Sequence, residues 1–396
     1  MKIVVQKFGG SSVADTDKIK RIAEKIQKRV LQGNKLVVVV SAMGKTTDNL
    51  LKLAKEISTK PDPRELDMLL TTGEQISISL LAIALNQLNI RSKSLNAFQA
   101  EIMTTGDFNE ARIKNIKSQK IFDLLEDFDV ITIAGFQGIN EEGDLTTLGR
   151  GGSDTSAVAL AAALQAPCEI YSDVDGIYTC DPRLHPNAKK LAYVTYDEML
   201  EMASLGAKVL HSRSVEIAKK FEITLYCAAT FSEVEGTYIV KENIEQPVVT
   251  GLSVLDNQTQ VTLSRLPEDY TLIHEIFHNV AEEGLNVDMI SVIDDDSGLT
   301  VSFTIVDESK EDVETALHHS LKDLEKWNIS YHPGYSKLSI VGVGMRSSSG
   351  VASKFFGALQ HIPIKLVTTS EIKISCLIET SFKQHAVESL TKAFDL

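Results

Sequence analysis

Residues 7–12, KFGGSS, set a lysine and two adjacent glycines directly after a valine-rich run. Glycines let backbone approach a ligand closely, and N–H groups leading into a helix start favour an anion. Lys7, Gly9 and Gly10 therefore read as a phosphate site, the alternative being a tight turn with a surface lysine. Residues 146–157, TTLGRGGSDTSA, place Arg150 among Gly149, Gly151 and Gly152, with Ser153 at the next helix start. An arginine, hydroxyls and exposed N–H groups together make a carboxylate or phosphate clamp. In TTGE, residues 71–74, Thr72 is placed to cap a helix, and Glu74 serves either the helix dipole or a ligand.

Two further segments carry polar groups. Residues 171–183, YSDVDGIYTCDPR, hold Asp173, Asp175 and Arg183 but lack the twelfth-position glutamate of a calcium loop. Residues 201–214 hold Lys208 and His211, and His211 reads as a surface helix end. Gly44-Lys45-Thr46 imitates the end of a P-loop, yet Val39 stands where that pattern requires glycine.

Elements that could position these residues are legible. Residues 3–5 and 36–41 read as buried strands, with helical spacing at Ile19, Ile22, Ala23, Ile26 and Val30 between them. Helices are expected over 74–88 and 153–165, and strands over 130–135 and 169–172. This alternation predicts an α/β layered domain over residues 1–245, with right-handed crossovers. Residues 242–247 read as a linker. Beyond it two βαββ segments repeat at about 80 residues, the size of a paired ferredoxin-like module. Helices are expected near 273–283 and 351–359.

The bulk numbers limit the function. A chain of 396 residues with 43% hydrophobic content can form two or three cores. Its net charge of −14 argues against a nucleic-acid partner, which needs a basic footprint. Four separated cysteines without CxxC spacing suggest reduced thiols in a cytoplasmic protein. No stretch reads as a signal peptide or as the roughly 20 apolar residues of a membrane span.

The motifs, in this order, resemble the aspartokinases. The resemblance implies an amino-acid-kinase three-layer sandwich over 1–245, followed by ACT domains over 249–330 and 331–396, with no fused dehydrogenase. It implies ATP with Mg²⁺ as the phosphoryl source and L-aspartate as the acceptor. It further implies the first step in the biosynthesis of lysine, threonine and methionine, under feedback by an end product.

Carried over by position, Lys7, Phe8, Gly9, Gly10 and Ser41 hold ATP phosphates, and Ser172, Asp173, Tyr178, Arg183 and Lys208 line the nucleotide site. Thr47, Glu74, Arg150 and Ser153 take aspartate: Glu74 its ammonium, Arg150 its α-carboxylate. Asp154 orients Lys7 or the metal. An effector, lysine by preference and threonine as the alternative, is expected at Met345, Ser348, Thr369, Ser370 and Glu371, with Asp288 adding negative charge nearby. ACT pairing implies a homodimer or larger homo-oligomer. Glu268 in RLPEDYT stands where the effector loop of a first ACT domain carries glycine, so the second is the expected site. A carboxylate acceptor is already ionised at pH 7, so no general base is required. The remaining demands are positioning and charge stabilisation.

Overall fold

The computed structural model describes residues 2–205, 209–242, 247–295, 298–321 and 327–396. The chain divides into two compact units. The first holds the residues up to Tyr178, then Lys190–Ser204 and the stretch 209–242. The second holds Thr179–Lys189, Leu205 and the described chain from 247 on.

In the first unit, eight strands form one sheet in the order Tyr193–Thr195, Thr237–Val240, Leu225–Ala229, Cys168–Ser172, Lys2–Phe8, Asn34–Val40, Val130–Ala134, Ser92–Leu95. All pairs are parallel except Leu225–Ala229 with Thr237–Val240. Parallel strands are buried on both faces, which explains the unbroken valines of KLVVVV. On one face, Val4, Phe8, Leu36, Val38 and Val40 pack against Ile19, Ile22 and Ile26 of the helix Thr16–Leu31 and Ile78, Leu81 and Leu85 of the helix Thr72–Gln87. The period of two then sends Val5 and Lys7 to the opposite face, where the helix Gly152–Leu164 lies. A four-stranded sheet of short strands, Ile113–Ile116, Ile102–Thr104, Gln137–Ile139 and Leu145–Thr147, completes the unit.

The helical stretch Pro63–Gln87 is long and apolar enough to cross a bilayer by composition, contrary to the sequence expectation. Half of its most apolar window is buried against the sheet, as a core helix of a globular unit would be.

The second unit is one six-stranded antiparallel sheet, ordered Asp288–Asp295, Gly298–Val306, Gly251–Leu266, Asn328–Val341, Lys373–Glu379, Ile364–Thr369. Its two central strands run through both hydrophobic cores. Val261 and Leu263 pack with Ile276 and Val301, whereas Leu252 of the same strand packs with Leu338, Phe355 and Leu390. A boundary at 330/331 falls inside Asn328–Val341, so each module takes half of each long strand rather than a contiguous segment. Cys180 and Leu184 join the second core, and the Thr179 carbonyl accepts the Leu252 N–H at 2.7 Å. The segment 179–189, assigned from sequence to the catalytic domain, is thus part of the second unit. Residues 243–246 of the expected linker lie outside the described residues.

Leu263→Ala and Leu338→Ala, one in each core, should each cost about 2–5 kcal/mol. Because the strands are shared, chemical denaturation of either variant should melt both cores in one transition. A transition that leaves one core intact would contradict the shared-strand account.

Candidate active site

The polar residues gather at the carboxyl ends of Lys2–Phe8, Asn34–Val40 and Val130–Ala134, where ligands bind in open α/β sheets. Lys7 is 9% exposed, and its Nζ lies 2.7 Å from Asp154 Oδ1. The two groups form a largely buried ion pair at the end of the strand. The Gly9 N–H is taken by the Tyr171 carbonyl at 3.1 Å. Among the described residues no hydrogen bond engages the N–H of Gly10 or Ser11, and these are the free donors of the turn. A Cβ on Gly10 would stand 2.8 Å from the Ala42 carbonyl, so only glycine fits there.

The helix Gly152–Leu164 starts at Gly151, which has no side chain to cap it. Its first-turn N–H groups and the positive end of its dipole face the same region as Lys7. Gly135 lets Ser153 sit against the end of Val130–Ala134, since an added Cβ would be 2.9 Å from the Ser153 hydroxyl. Ahead of this helix, Gly149 and Gly151 adopt φ of +74° and +68°. The turn they make exposes Arg150, whose guanidinium has no partner among the described residues.

Glu74 lies in the first turn of Thr72–Gln87 and is 2% exposed. Its Oε1 accepts the Ala42 N–H at 3.0 Å, and its buried Oε2 has no hydrogen-bond partner among the described residues. Burial pushes its pKa up to about 7, against the pull of the Ala42 N–H. Thr72 does not cap the helix; its hydroxyl donates to the Leu69 carbonyl, and Thr71 occupies the cap position. Thr47, half-buried, sits in the first turn of Thr46–Ile57, whose Thr46 is the close neighbour of Gly73.

The remaining expectations divide. Phe8 is fully buried and stacks on Tyr171 at 5.1 Å, so its side chain belongs to the core and not to a nucleotide contact. Ser41, half-buried, donates its N–H to the Phe8 carbonyl. Ser172 closes a turn on Val174, Asp173 is exposed, and Tyr178 donates to Asp175 at 2.9 Å. Arg183 is gripped by Asp181 within the second unit. Lys208 lies outside the described residues.

In the second unit a cavity of about 540 Å³ is lined by all five expected effector residues, Met345, Ser348, Thr369, Ser370 and Glu371, together with Arg346. Glu371 is already paired with Arg346 at 3.0 Å. Asp288 is bound by the buried Lys337, so it is not a spare negative charge.

The profile of the Amino acid kinase family matches residues 2–229, and that of the ACT domain matches residues 338–394. An aspartokinase of Bacillus sp. (strain MGA3) is 48% identical over 402 residues, covering all of this chain and 98% of the relative. The chain belongs to the aspartokinase family. Its activity is that of an aspartate kinase under allosteric control. Aspartokinase III of E. coli, solved with aspartate and ADP in its R-state, matches it with a TM-score of 0.85 at 25% identity over the whole of both chains. The same enzyme with lysine and aspartate in its T-state matches with 0.81 at 25% identity over 99% of each.

Three residues of this aspartokinase-family site have roles that escaped the sequence reading. His211 is a helix end, as expected, the half-buried cap of Ser212–Phe221, but its ring also lies against Gly151, where a Cβ would be 2.3 Å away. Asp67 and Arg213 hold the segments before the Arg150 turn. Their partners are 42 to 102 residues distant, and no local pattern announces such pairings.

Glu74 gives a stability signature. Its folded pKa of about 7 exceeds the ordinary 4.5, so between these values the folded state binds more protons than the unfolded. The penalty is absent below about pH 4.5 and complete above about pH 7. Glu74→Gln should therefore stabilise the apo protein at pH 8, by on the order of 3 kcal/mol, and much less at pH 5. Denaturant midpoints at both pH values test this; equal shifts would show that Glu74 carries no buried charge.

Proposed function

We propose that the chain transfers the γ-phosphoryl group of ATP to the β-carboxylate of L-aspartate through the residues assembled above. The unpartnered Oε2 of buried Glu74 carries this reading. A buried carboxylate oxygen without a hydrogen-bond donor or cation is a standing cost unless a ligand supplies positive charge. The substrate ammonium supplies it, and the free Arg150 takes the α-carboxylate, bidentate. Thr47 and Ser153, each in the first turn of a helix, would add hydroxyls to the substrate.

A β-carboxylate oxygen then attacks the γ-phosphorus, and the bond to the bridging oxygen of ADP breaks. The products are an acyl phosphate and ADP. Lys7, held by Asp154, lies where charge accumulates on the transferred group, with the Gly10 and Ser11 N–H donors and the uncapped helix start beside it. Among the described residues no three acidic, His or Cys side chains cluster to cage a metal. That suits Mg²⁺ carried by the phosphates with a single protein carboxylate, and Asp154, a carboxylate beside Lys7, is the group that would take that place. The bound ion would neutralise phosphate charge.

With Mg-ATP and hydroxylamine the protein should yield aspartyl hydroxamate from L-aspartate. Equal turnover of L-glutamate would remove the aspartate assignment, because a two-charge clamp should separate one methylene by about 1–3 kcal/mol. Lys7→Ala should lower kcat roughly 10²-fold or more. Arg150→Ala should act mainly on KM for aspartate, as loss of binding common to ground and transition states does. An unchanged kcat in Lys7→Ala would contradict the phosphate role.

The cavity beside Arg346 and Glu371 fits an amino-acid effector. Both side chains are more than half exposed, and such a pair is weakly held, so a zwitterion can open it and satisfy both charges. The lysine complex of the E. coli relative favours lysine over threonine. The end strands of the sheet, with Ile290, Val292 and Ile293 exposed, support pairing with a second copy. Lysine should inhibit the wild type, with Glu371→Ala and Ser370→Ala relieved and their uninhibited kcat unchanged. Threonine inhibiting in place of lysine would reassign the effector, and inhibition unchanged in both variants would exclude the cavity.

A further inference from the structure

Asp67 is fully buried on the helix Pro63–Leu70 and forms no ion pair with any described residue. Its carboxylate accepts three hydrogen bonds: the N–H groups of Asn109 at 2.9 Å and Thr147 at 2.8 Å on Oδ2, and the Thr147 hydroxyl at 2.7 Å on Oδ1. Arg213, on the helix Ser212–Phe221, grips the same junction with the opposite polarity. Its guanidinium donates to the carbonyls of Leu148 at 2.5 Å and Ala111 at 3.0 Å. The two crossing segments are further tied by the Ala111 N–H on the Thr147 carbonyl.

An anion and a cation are thus each spent on backbone rather than on each other. Full burial of the Asp67 charge is not needed to close a surface turn, which neutral side chains close equally well; Arg213 is half-buried. What the junction carries is the Arg150 turn. Gly149 follows Leu148 directly and rests on the Asn109 carbonyl, which an added Cβ would approach to 3.0 Å. The far end of the turn, Gly151, rests on the ring of His211, the cap of the helix that bears Arg213.

We propose that Asp67 and Arg213 are positioning residues that fix the Arg150 turn from both sides, presetting its exposed guanidinium for the substrate α-carboxylate. The proposal rests on the reading of Arg150 as the carboxylate ligand. A side chain held from both sides loses less freedom on binding, and a displacement of about 1 Å at a clamp can cost up to 10²-fold.

The test compares Asp67→Asn and Arg213→Lys, both near-isosteric in reach, alone and combined with Arg150→Ala. Lysine keeps the charge of Arg213 but not the fork that reaches two carbonyls. Each single variant should raise KM for L-aspartate roughly tenfold, with KM for ATP changed less than about twofold. In the Arg150→Ala background neither should raise it further. If Asp67→Asn fails to fold, Arg213→Lys carries the same comparison. A raised KM in Arg150→Ala, with unchanged KM in both positioning variants or fully additive effects, overturns this inference alone. An unchanged KM in Arg150→Ala itself overturns the substrate reading of Arg150.

Discussion

The Lys7–Asp154 ion pair forms only if a strand and a helix 147 residues apart in sequence meet with their polar ends aligned. The strand Lys2–Phe8 supplies this by alternation: Phe8 closes the core under one set of helices, and its neighbour Lys7 is forced to the other face, at the last turn of pleat before the sheet ends. The helix Gly152–Leu164 meets it there with an acidic residue in its first turn and no side-chain cap. Burying a lone lysine would cost several kcal/mol, so the pairing with Asp154 is a condition of the fold as much as of the chemistry.

Around that pair, three uncapped helix starts deliver N–H donors and polar side chains to the carboxyl ends of adjacent strands. Glycines set the distances. Gly10 sits against Ala42, Gly73 against Ala42 and Thr46, and Gly135 against Ser153, each at a separation a Cβ would violate. An acceptor that is ionised before it arrives requires no general base, and the phosphoryl transfer then depends on placement and fixed charge.

Much of this was legible in the sequence because the signals are local. The valine runs gave both central strands, and the spacing from Ile19 to Val30 gave the first helix. Cations close to glycine pairs marked Lys7 and Arg150 as candidates. The five residues expected to take an effector line one cavity because a loop and the facing turn of one βαββ unit are close in chain order. What failed was non-local. Phe8 lies inside a glycine motif yet faces the core, which only the strand's phase decides. The two ferredoxin-like repeats read as consecutive, whereas their longest strands are shared. Asp67 and Arg213 satisfy backbone groups far along the chain, and His211, the helix end the sequence suggests, has a further contact with Gly151 that no local pattern announces.

The account turns on Glu74 being a buried carboxylate that waits for an ammonium. Calorimetric titration of L-aspartate into the ADP-saturated enzyme at pH 7, in buffers of different ionisation enthalpy, counts the protons exchanged. With a free-state pKa of about 7, Glu74 is half protonated, and pairing with the substrate should release about half a proton per site. Glu74→Gln should lack that release. Equal proton counts in the two proteins, or proton uptake by the wild type, would contradict the placement of Glu74 against the substrate ammonium.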